Sequence, residues 1–284
     1  MPAGRVVSVG ARRWVLFAAT ALVAVSGSLM GAPVAPAAEP AGRFGIFREC
    51  PRFTIGVDYC LYAQTLGGEV TIGRLTLPLE RPLLLQGGIA RNEQQRPVVE
   101  TFFGALDGET FLRSPQRVPG GLFGMPLYAT LELASPASDI EISSDNIVNE
   151  EGTAVGLPVR IHLENPLFGS ECYLGSHGNP IAIHLTTGTT RPNPPNKPIS
   201  GKLVALEQVP GPTGPLLEVA AMMVDNTFSI PGATGCGGRG EEQLVDATID
   251  HALGLPSPDG HNTIVQNNTI WTATAEDVIA DEGG

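Results

Sequence analysis

The chain has 284 residues, with 17 basic and 29 acidic side chains and a formal charge of -12. Such a surface repels nucleic acid phosphates and anionic membranes, so neither partner is expected. The 35 glycines and 25 prolines are spread along the chain, which interrupts helices and favours short strands separated by turns. Composition therefore predicts a mainly β protein.

Residues 1–37 have the pattern of a secretory signal peptide. Arginines at positions 5, 12 and 13 precede a mostly apolar stretch, Trp14 to Met30, and Ala35-Pro36-Ala37 offers small residues for cleavage. An uncleaved membrane anchor is the alternative, but the stretch is short for a span and rich in small residues. The arginine pair also resembles a twin-arginine signal, although the general secretory route is favoured. Cleavage removes three basic and no acidic side chains, which changes the formal charge from -12 to -15, and no stable membrane insertion is expected afterwards.

All four cysteines, Cys50, Cys60, Cys172 and Cys236, follow this segment. An even number in an exported chain indicates two disulfides, for which three connectivities exist. We favour Cys50–Cys60, which closes a short loop, and Cys172–Cys236, which ties a strand end to a glycine-rich segment. A metal site is the alternative, but the sequence has no Cys-x-x-Cys pair and an exported chain meets an oxidising compartment.

The first part of the exported region, after a flexible segment over residues 38–47, predicts short strands and turns. The strands cover residues 59–64, 69–72, 75–79 and 83–86, with a turn at Leu66-Gly67-Gly68 and a stop at Gly87-Gly88. The apolar face changes parity between Ile72 and Leu75, so Gly73-Arg74 must be a tight turn or a bulge. Residues 91–125 are predicted to form a long loop with one or two short elements.

The clearest strands follow. Tyr128 to Ala134 predicts one strand, and residues 139–152 an acidic, exposed connection. Apolar and polar residues then alternate over Val159–Leu163 and over Ile181–Leu185, which indicates strands that cover a core on one face.

The last third begins with a proline-rich crossing, residues 191–198, which is an extended connection or a linker between two lobes. Paired strands are then predicted over 203–209 and 216–224. A helix is predicted over Glu241–Leu253, with Leu244 and Ile249 on its apolar stripe. A hairpin of 263–265 and 269–274 around Asn267-Asn268 is predicted next, and a disordered acidic tail over 276–284. Together these elements predict a β-sandwich-like, antiparallel fold over residues 48–275, with one short helix near the C-terminus.

Candidate catalytic groups are sparse, because the exported region has no Gly-x-Ser-x-Gly motif. Ser176 and His177 could pair, but neighbours on a strand point in different directions, and a turn is favoured there. His261 lies beside Asp259 in a second predicted turn, where Asp259 and Asn262 are expected to supply turn hydrogen bonds.

Two groups of side chains could bind a metal ion, but solvated side chains are the favoured interpretation of both. His162 and His184 occupy the polar faces of two strands and could bind a transition metal if those strands were adjacent and in register. An acidic run could offer calcium ligands, but its spacing fits no twelve-residue calcium loop; it comprises Asp139, Glu141, Asp145, Asn149, Glu150 and Glu151. No catalytic, cofactor or metal residue is therefore assigned, and Trp271 is expected in the core rather than on a sugar-binding platform.

Four pairs of segments are the most distinctive parts of the sequence: Leu163–Ser170 with Cys172–Ser176, Thr186–Thr190 with Asn196–Gly201, Val224–Ala233 with Gly235–Gly237, and Gly254–Pro258 with Gly260–Asn262. With the Cys50/Cys60 pair, they resemble a group of secreted actinobacterial proteins of uncharacterised function. The resemblance covers residues 48–275 and implies neither an activity nor catalytic residues.

We expect a non-catalytic binding or structural component that works outside the cell or in the cell envelope, with no cofactor and an unidentified partner. The alternatives are a secreted hydrolase, whose site assembles only in three dimensions, and a small carrier of apolar ligands. A cleft with close carboxylates or a Ser–His pair would favour the hydrolase, and a closed apolar cavity the carrier.

Overall fold

The alternating strands build two antiparallel sheets that pack face to face in a sandwich-like arrangement. A computed structural model describes residues 40, 42–94, 98–210, 215–238 and 240–281. The expected signal peptide and the last three residues of the acidic tail lie outside this part of the chain.

The strands of the described chain are β1 Tyr59–Ile72, β2 Leu75–Pro78, β3 Leu84–Asn92, β4 Val99–Gly104, β5 Phe111–Leu112, β6 Gln116–Arg117, β7 Tyr128–Leu133, β8 Glu141–Ile142, β9 Val155–Glu164, β10 Tyr173–Leu174, β11 Ile181–Leu185, β12 Lys202–Pro210, β13 Pro215–Asp225, β14 Ala233–Thr234 and β15 Thr263–Thr274. The helices are α1 Ser144–Asn149, α2 Glu242–Leu253 and α3 Ala275–Asp281, with short 3-10 helices over Phe44–Phe47 and Ala137–Asp139.

The first sheet has the strand order β12-β13-β15-β1-β3-β4, with β2 beside the second half of β1 and β5 beside β3. The second sheet is built around β9. Strands β7 and β8 pair along one side of β9, and β10 and β11 along the other. The predicted pairing of residues 203–209 with 216–224 is confirmed, because β12 and β13 form an antiparallel pair.

A bulge in β1 replaces the turn predicted at Leu66-Gly67-Gly68. The strand continues to Ile72, and its pairing with β15 shifts between Thr65 and Gly67. A bulge adds one residue to one strand, so the inward-facing positions change from odd to even numbers. Gly68 lies so close to the carbonyl oxygen of Val265 that a side chain would not fit. The tight turn predicted at Gly73-Arg74 is confirmed by the pairing of Ile72 with Leu75.

Two further glycines were wrongly predicted to end a strand. β3 continues through Gly87 and Gly88 to Asn92. A Cβ atom at Gly87 would meet the ring of Phe102, and one at Gly88 would lie 2.8 Å from a methyl group of Val57. These glycines therefore allow neighbouring side chains to pack onto the strand.

The predicted closing hairpin around Asn267-Asn268 is also wrong. Residues 263–274 form the single strand β15, which lies between β13 and β1 in the first sheet. Both asparagines therefore lie in the middle of a twelve-residue strand. Because side chains alternate between the faces of a sheet, Asn268 shares the inward face with Ile264 and Ile270.

The connections contain more structure than expected. Residues 91–125, predicted as a long loop, contain β4, β5 and β6, and residues 139–152 contain β8 and α1. The latter segment is anchored by Ile140, Ile142 and Ile147, which are buried. The predicted helix near the C-terminus is confirmed as α2, although Leu244 lies on its exposed side, at 72% exposure.

Both ends of the described chain pack onto the outer face of the first sheet. Phe44 and Phe47 lie in the segment expected to be flexible and are buried, and Val278 of α3 is buried where a disordered tail was expected. With Cys50, Cys60 and Ala273, among others, these residues form a hydrophobic group that we name the outer cluster. The larger group between the two sheets is named the inter-sheet core.

The structure contains two disulfides, as the even cysteine count predicts. Cys50–Cys60 lies in the outer cluster, and Cys172–Cys236 lies in the inter-sheet core. Each hydrophobic group therefore contains one covalent cross-link.

Candidate functional site

The space between the two sheets is incompletely filled. A cavity of about 120 Å³ lies there, lined from the first sheet by residues such as Ala63 and Leu77 and from the second by residues such as Ala129, Leu131 and Leu157. No charged residue, histidine, serine or cysteine is among its described lining residues. A cavity with a largely apolar lining can take an apolar guest.

The alternation that builds the sandwich also explains why space is left between the sheets. Inward positions carry mainly Leu, Ile and Val, and facing sheets lie about 10 Å apart, a spacing that the longer side chains set. Two of the residues that line the cavity are alanines, Ala63 on β1 and Ala129 on β7. Because a methyl group fills much less space than a branched side chain, these positions leave room between the sheets.

Four polar side chains interrupt the apolar lining: Thr65, Gln116, Gln266 and Asn268. The hydrogen-bonding capacity of Gln116 is fully used within the protein. Its Oε1 accepts from the amides of Glu80 and Arg81, and its Nε2 donates to the carbonyl oxygens of Arg81 and Ser114. An amide side chain offers two donor and two acceptor positions, so Gln116 has a structural role where β6 meets the β2–β3 connection.

The other three polar residues lie together beside the bulge in β1, and we name them the amide patch. Thr65 is opposite Asn268 in the pairing of β1 with β15, and its hydroxyl donates to Asn268 Oδ1 over 2.8 Å. Asn268 Nδ2 makes only a long contact, 3.5 Å, to the carbonyl oxygen of Gln266. Among the described residues, the side-chain amide of Gln266 has no hydrogen-bond partner. The amide patch is therefore a polar spot with unused capacity in an apolar wall.

Sequence reasoning missed the amide patch because Asn267-Asn268 was interpreted as a hairpin turn. The period-2 pattern of Ile264, Gln266, Asn268 and Ile270 was the available signal. Read as one continuous strand, that pattern places both amides on the same inward face as the two isoleucines.

The two histidines considered as metal ligands do not converge. His162 lies opposite Tyr173, whereas His184 lies opposite Gly156 of the same central strand, β9. Six residues of extended strand separate these positions, which is about 20 Å. Among the described residues, no group of three or more His, Cys, Asp or Glu side chains could hold a metal ion.

His162 instead belongs to a stack on the outer face of the second sheet. Its ring stacks on Tyr173 with 4.7 Å between centroids, and the guanidinium of Arg160 lies 4.1 Å from the centre of the same ring. The ring of Tyr173 therefore contacts both a histidine ring and a guanidinium group. Glu132, only 5% exposed, forms ion pairs with Arg160 and Arg113. Burial first, and then the charge of Glu132, raise the pKa of Tyr173 above its ordinary value.

The Ser176/His177 pair does not form a catalytic dyad. His177 Nδ1 donates to the carbonyl oxygen of Ala134 over 2.6 Å, while the Ser176 hydroxyl accepts from the amide of Asn179. Ser176 and Asn179 form an isolated bridge that closes a turn. Neither of these hydrogen bonds joins the two side chains, so the described structure does not pair Ser176 with His177.

The prediction for the second turn is confirmed for Asn262, which bonds within the turn, but not for Asp259, which bonds to a residue remote in sequence. Asp259 accepts from the side chain of Asn193, and the fully buried Asn262 donates to the carbonyl oxygens of Phe228, Ser257 and Pro258. Asn262 also accepts from the amide of Gly73. These bonds join the segment before β15 to the β1–β2 turn, which is a structural role.

The acidic run considered for calcium is dispersed. Asp145 pairs with Arg91 over 2.8 Å, and Glu150 accepts from the amide of Leu203 over 2.7 Å. Trp271 packs against Tyr62 at the outer cluster, with 5.7 Å between ring centroids.

Comparisons with protein-family models, with curated proteins and with solved structures found no match to this chain. Within the described ranges, no helix has the length and apolar character needed to cross a membrane. We take the inter-sheet cavity, whose described lining is nearly all apolar, as the candidate site.

Proposed function

We propose that this chain is an exported, non-catalytic binding protein that holds a small apolar molecule between its two sheets. The observation that carries the proposal is the cavity of about 120 Å³, with a nearly uniform lining of aliphatic side chains. Such a lining binds by removing apolar surface from water and by close packing. Acid–base or nucleophilic catalysis would need a different set of lining residues.

The size of the cavity limits the ligand. An engineered apolar cavity of about 150 Å³ holds one benzene molecule, so a cavity of about 120 Å³ suits a single small ring or a short branched chain. A long acyl chain would require the sheets to move apart. The proposed ligand is therefore a compact molecule.

Export is part of the proposal and is supported by two features. The N-terminal residues have the pattern of a signal peptide, and the two disulfides suit an oxidising compartment. We expect the secreted protein to begin at Ala38, which N-terminal sequencing of material from the culture medium would test. Recovery of an intact N-terminus in the membrane fraction would contradict it.

Binding is tested by titrating the purified protein with toluene and following thermal unfolding together with calorimetry. A ligand that binds only the folded state raises the unfolding temperature as its concentration increases. Ala63→Leu adds three carbons inside the cavity and should abolish binding. The matched control is Ala182→Leu, at an exposed position on β11, which should bind toluene like the parent protein.

Equal binding by Ala63→Leu and Ala182→Leu would place the site elsewhere on the molecule. No saturable binding of toluene or benzene by the parent protein would refute the proposed function.

A further inference from the structure

The amide patch makes one part of the cavity wall chemically different from the rest. Gln266 and Asn268 are two positions apart on β15, so they project from the same face of the sheet about 7 Å apart. Both line the cavity. The remaining wall is apolar apart from Gln116, whose four hydrogen-bonding positions are already used. Among the described lining residues, the amide patch is therefore the one place where a polar group of a ligand can be matched.

The orientation of the amide patch is partly fixed. Because the Thr65 hydroxyl donates to Asn268 Oδ1, the Nδ2 group of Asn268 is left as a donor, and its single contact is long. Asn268 is only 7% exposed, so this donor is largely removed from bulk solvent. A buried donor without a good acceptor is unfavourable, and a ligand oxygen at that place would relieve the cost.

Gln266 complements this donor. Its side-chain amide, which lacks a partner among the described residues, offers both an acceptor and a donor. It lies opposite Gly68, the glycine beside the β1 bulge. Since glycine has no side chain, nothing on β1 competes for the amide at this position.

We infer that the cavity selects uncharged ligands that carry one hydrogen-bonding oxygen, such as a hydroxyl or a carbonyl, and that Gln266 and Asn268 recognise this oxygen. The inference rests on the proposed function, because it assumes that the cavity is the binding site. Carboxylates and amines are disfavoured, since the described lining has no opposite charge to compensate an ion taken out of water.

The test compares toluene with phenol, two probes of similar shape. Toluene carries a methyl group where phenol carries a hydroxyl. A purely apolar cavity discriminates against phenol, because its hydroxyl loses hydrogen bonds with water. With the amide patch, we expect phenol to bind the parent protein at least as tightly as toluene. In Gln266→Leu, phenol should bind about tenfold more weakly than toluene, while the affinity for toluene stays within a few fold of the parent value.

Asn268→Leu is the second variant and should lower the affinity for phenol in the same way. Gln208→Leu is the matched control, because Gln208 is exposed on β12 and does not line the cavity. It should leave the ratio of phenol to toluene affinity unchanged. Retained binding of toluene shows in each case that the variant is folded, so the ratio remains interpretable.

The possible failures are distinguishable. If the parent protein binds neither probe, the proposed function itself is wrong. If it binds toluene about tenfold more tightly than phenol, the cavity is a site but the amide patch does not select the ligand. The same conclusion follows if both amide variants keep the parent ratio of affinities.

Discussion

The two hydrophobic groups of this protein fill space to different degrees. The outer cluster is built from rings and from both ends of the described chain, and Phe44 and Val278 within it have no solvent exposure. The inter-sheet core is larger and mainly aliphatic, and it contains the cavity. Both groups pack against the first sheet, but on opposite faces.

The difference shows what determines whether a core can close. The elements that cover the outer face, a 3-10 helix, a disulfide-closed loop and α3, are short and can settle individually onto the strands. The two sheets are held at a spacing that their longest side chains set, so a small residue such as Ala63 leaves space that no neighbour can enter. Binding is therefore expected in the inter-sheet core rather than in the outer cluster.

The largest expected effect comes from removing the disulfide of each group by paired Cys→Ala substitutions. Cys172 and Cys236 are 64 residues apart, and Cys50 and Cys60 are 10 apart. In the chain-entropy description, loss of the longer link costs about 4 kcal/mol and loss of the shorter one about 3 kcal/mol of unfolding free energy. Urea unfolding of the two paired variants at equal protein concentration measures both values.

The two paired variants also separate stability from binding. Loss of Cys172–Cys236, which lies in the inter-sheet core, should weaken toluene binding, whereas loss of Cys50–Cys60 should leave the affinity unchanged at temperatures where the variant is folded. Weaker toluene binding in both variants would show that the outer cluster and the cavity are not independent.

The sequence predicts the fold well wherever alternation is unbroken. Val159, Ile161 and Leu163 alternate with polar residues, and they lie on the central strand of the second sheet. Periodicity fails where a glycine serves packing rather than a turn. Gly87 and Gly88 lie within β3 because Phe102 and Val57 pack against them, and those contacts are remote in sequence from the glycines.

The candidate site was less accessible to sequence reasoning. Alternation shows which residues face inward, but it gives no measure of the distance to the opposite sheet, so the cavity around Ala63 and Ala129 has no sequence signature. Asparagine pairs favour turns, so the sequence predicts a turn at Asn268. Its place in the middle of β15 depends on pairing with β1 and β13, which begin about 200 and 50 residues earlier in the chain.

The comparison between the two groups is tested more finely by enlarging one alanine in each. Ala63→Leu fills part of the cavity and should raise the unfolding free energy by about 1 kcal/mol, because it buries apolar atoms without displacing neighbours. Ala273→Leu, on the neighbouring strand β15 but in the outer cluster, should lower it by about 1–3 kcal/mol, because no space is available. Denaturant unfolding measures the change in unfolding free energy of each variant relative to the parent. A loss of stability in both variants would mean that the cavity cannot accept the added carbons.

The smallest expected effect concerns the outer face of the second sheet, where a polar stack is found instead of a hydrophobic group. Burial, and then the charge of Glu132, raise the pKa of Tyr173 above 10.0. As the pH rises through about 10, this tyrosine ionises in the unfolded chain before it does so in the folded one. The unfolded state is then favoured, so the contribution of Tyr173 to stability is complete below that pH and decreases above it.

Tyr173→Phe keeps the ring against Arg160 and His162 but has no hydroxyl, so its stability should decrease less than that of the parent between about pH 8 and about pH 11. Urea unfolding at the two pH values measures the difference, and parallel losses in the two proteins would show that the stack does not oppose ionisation of the tyrosine.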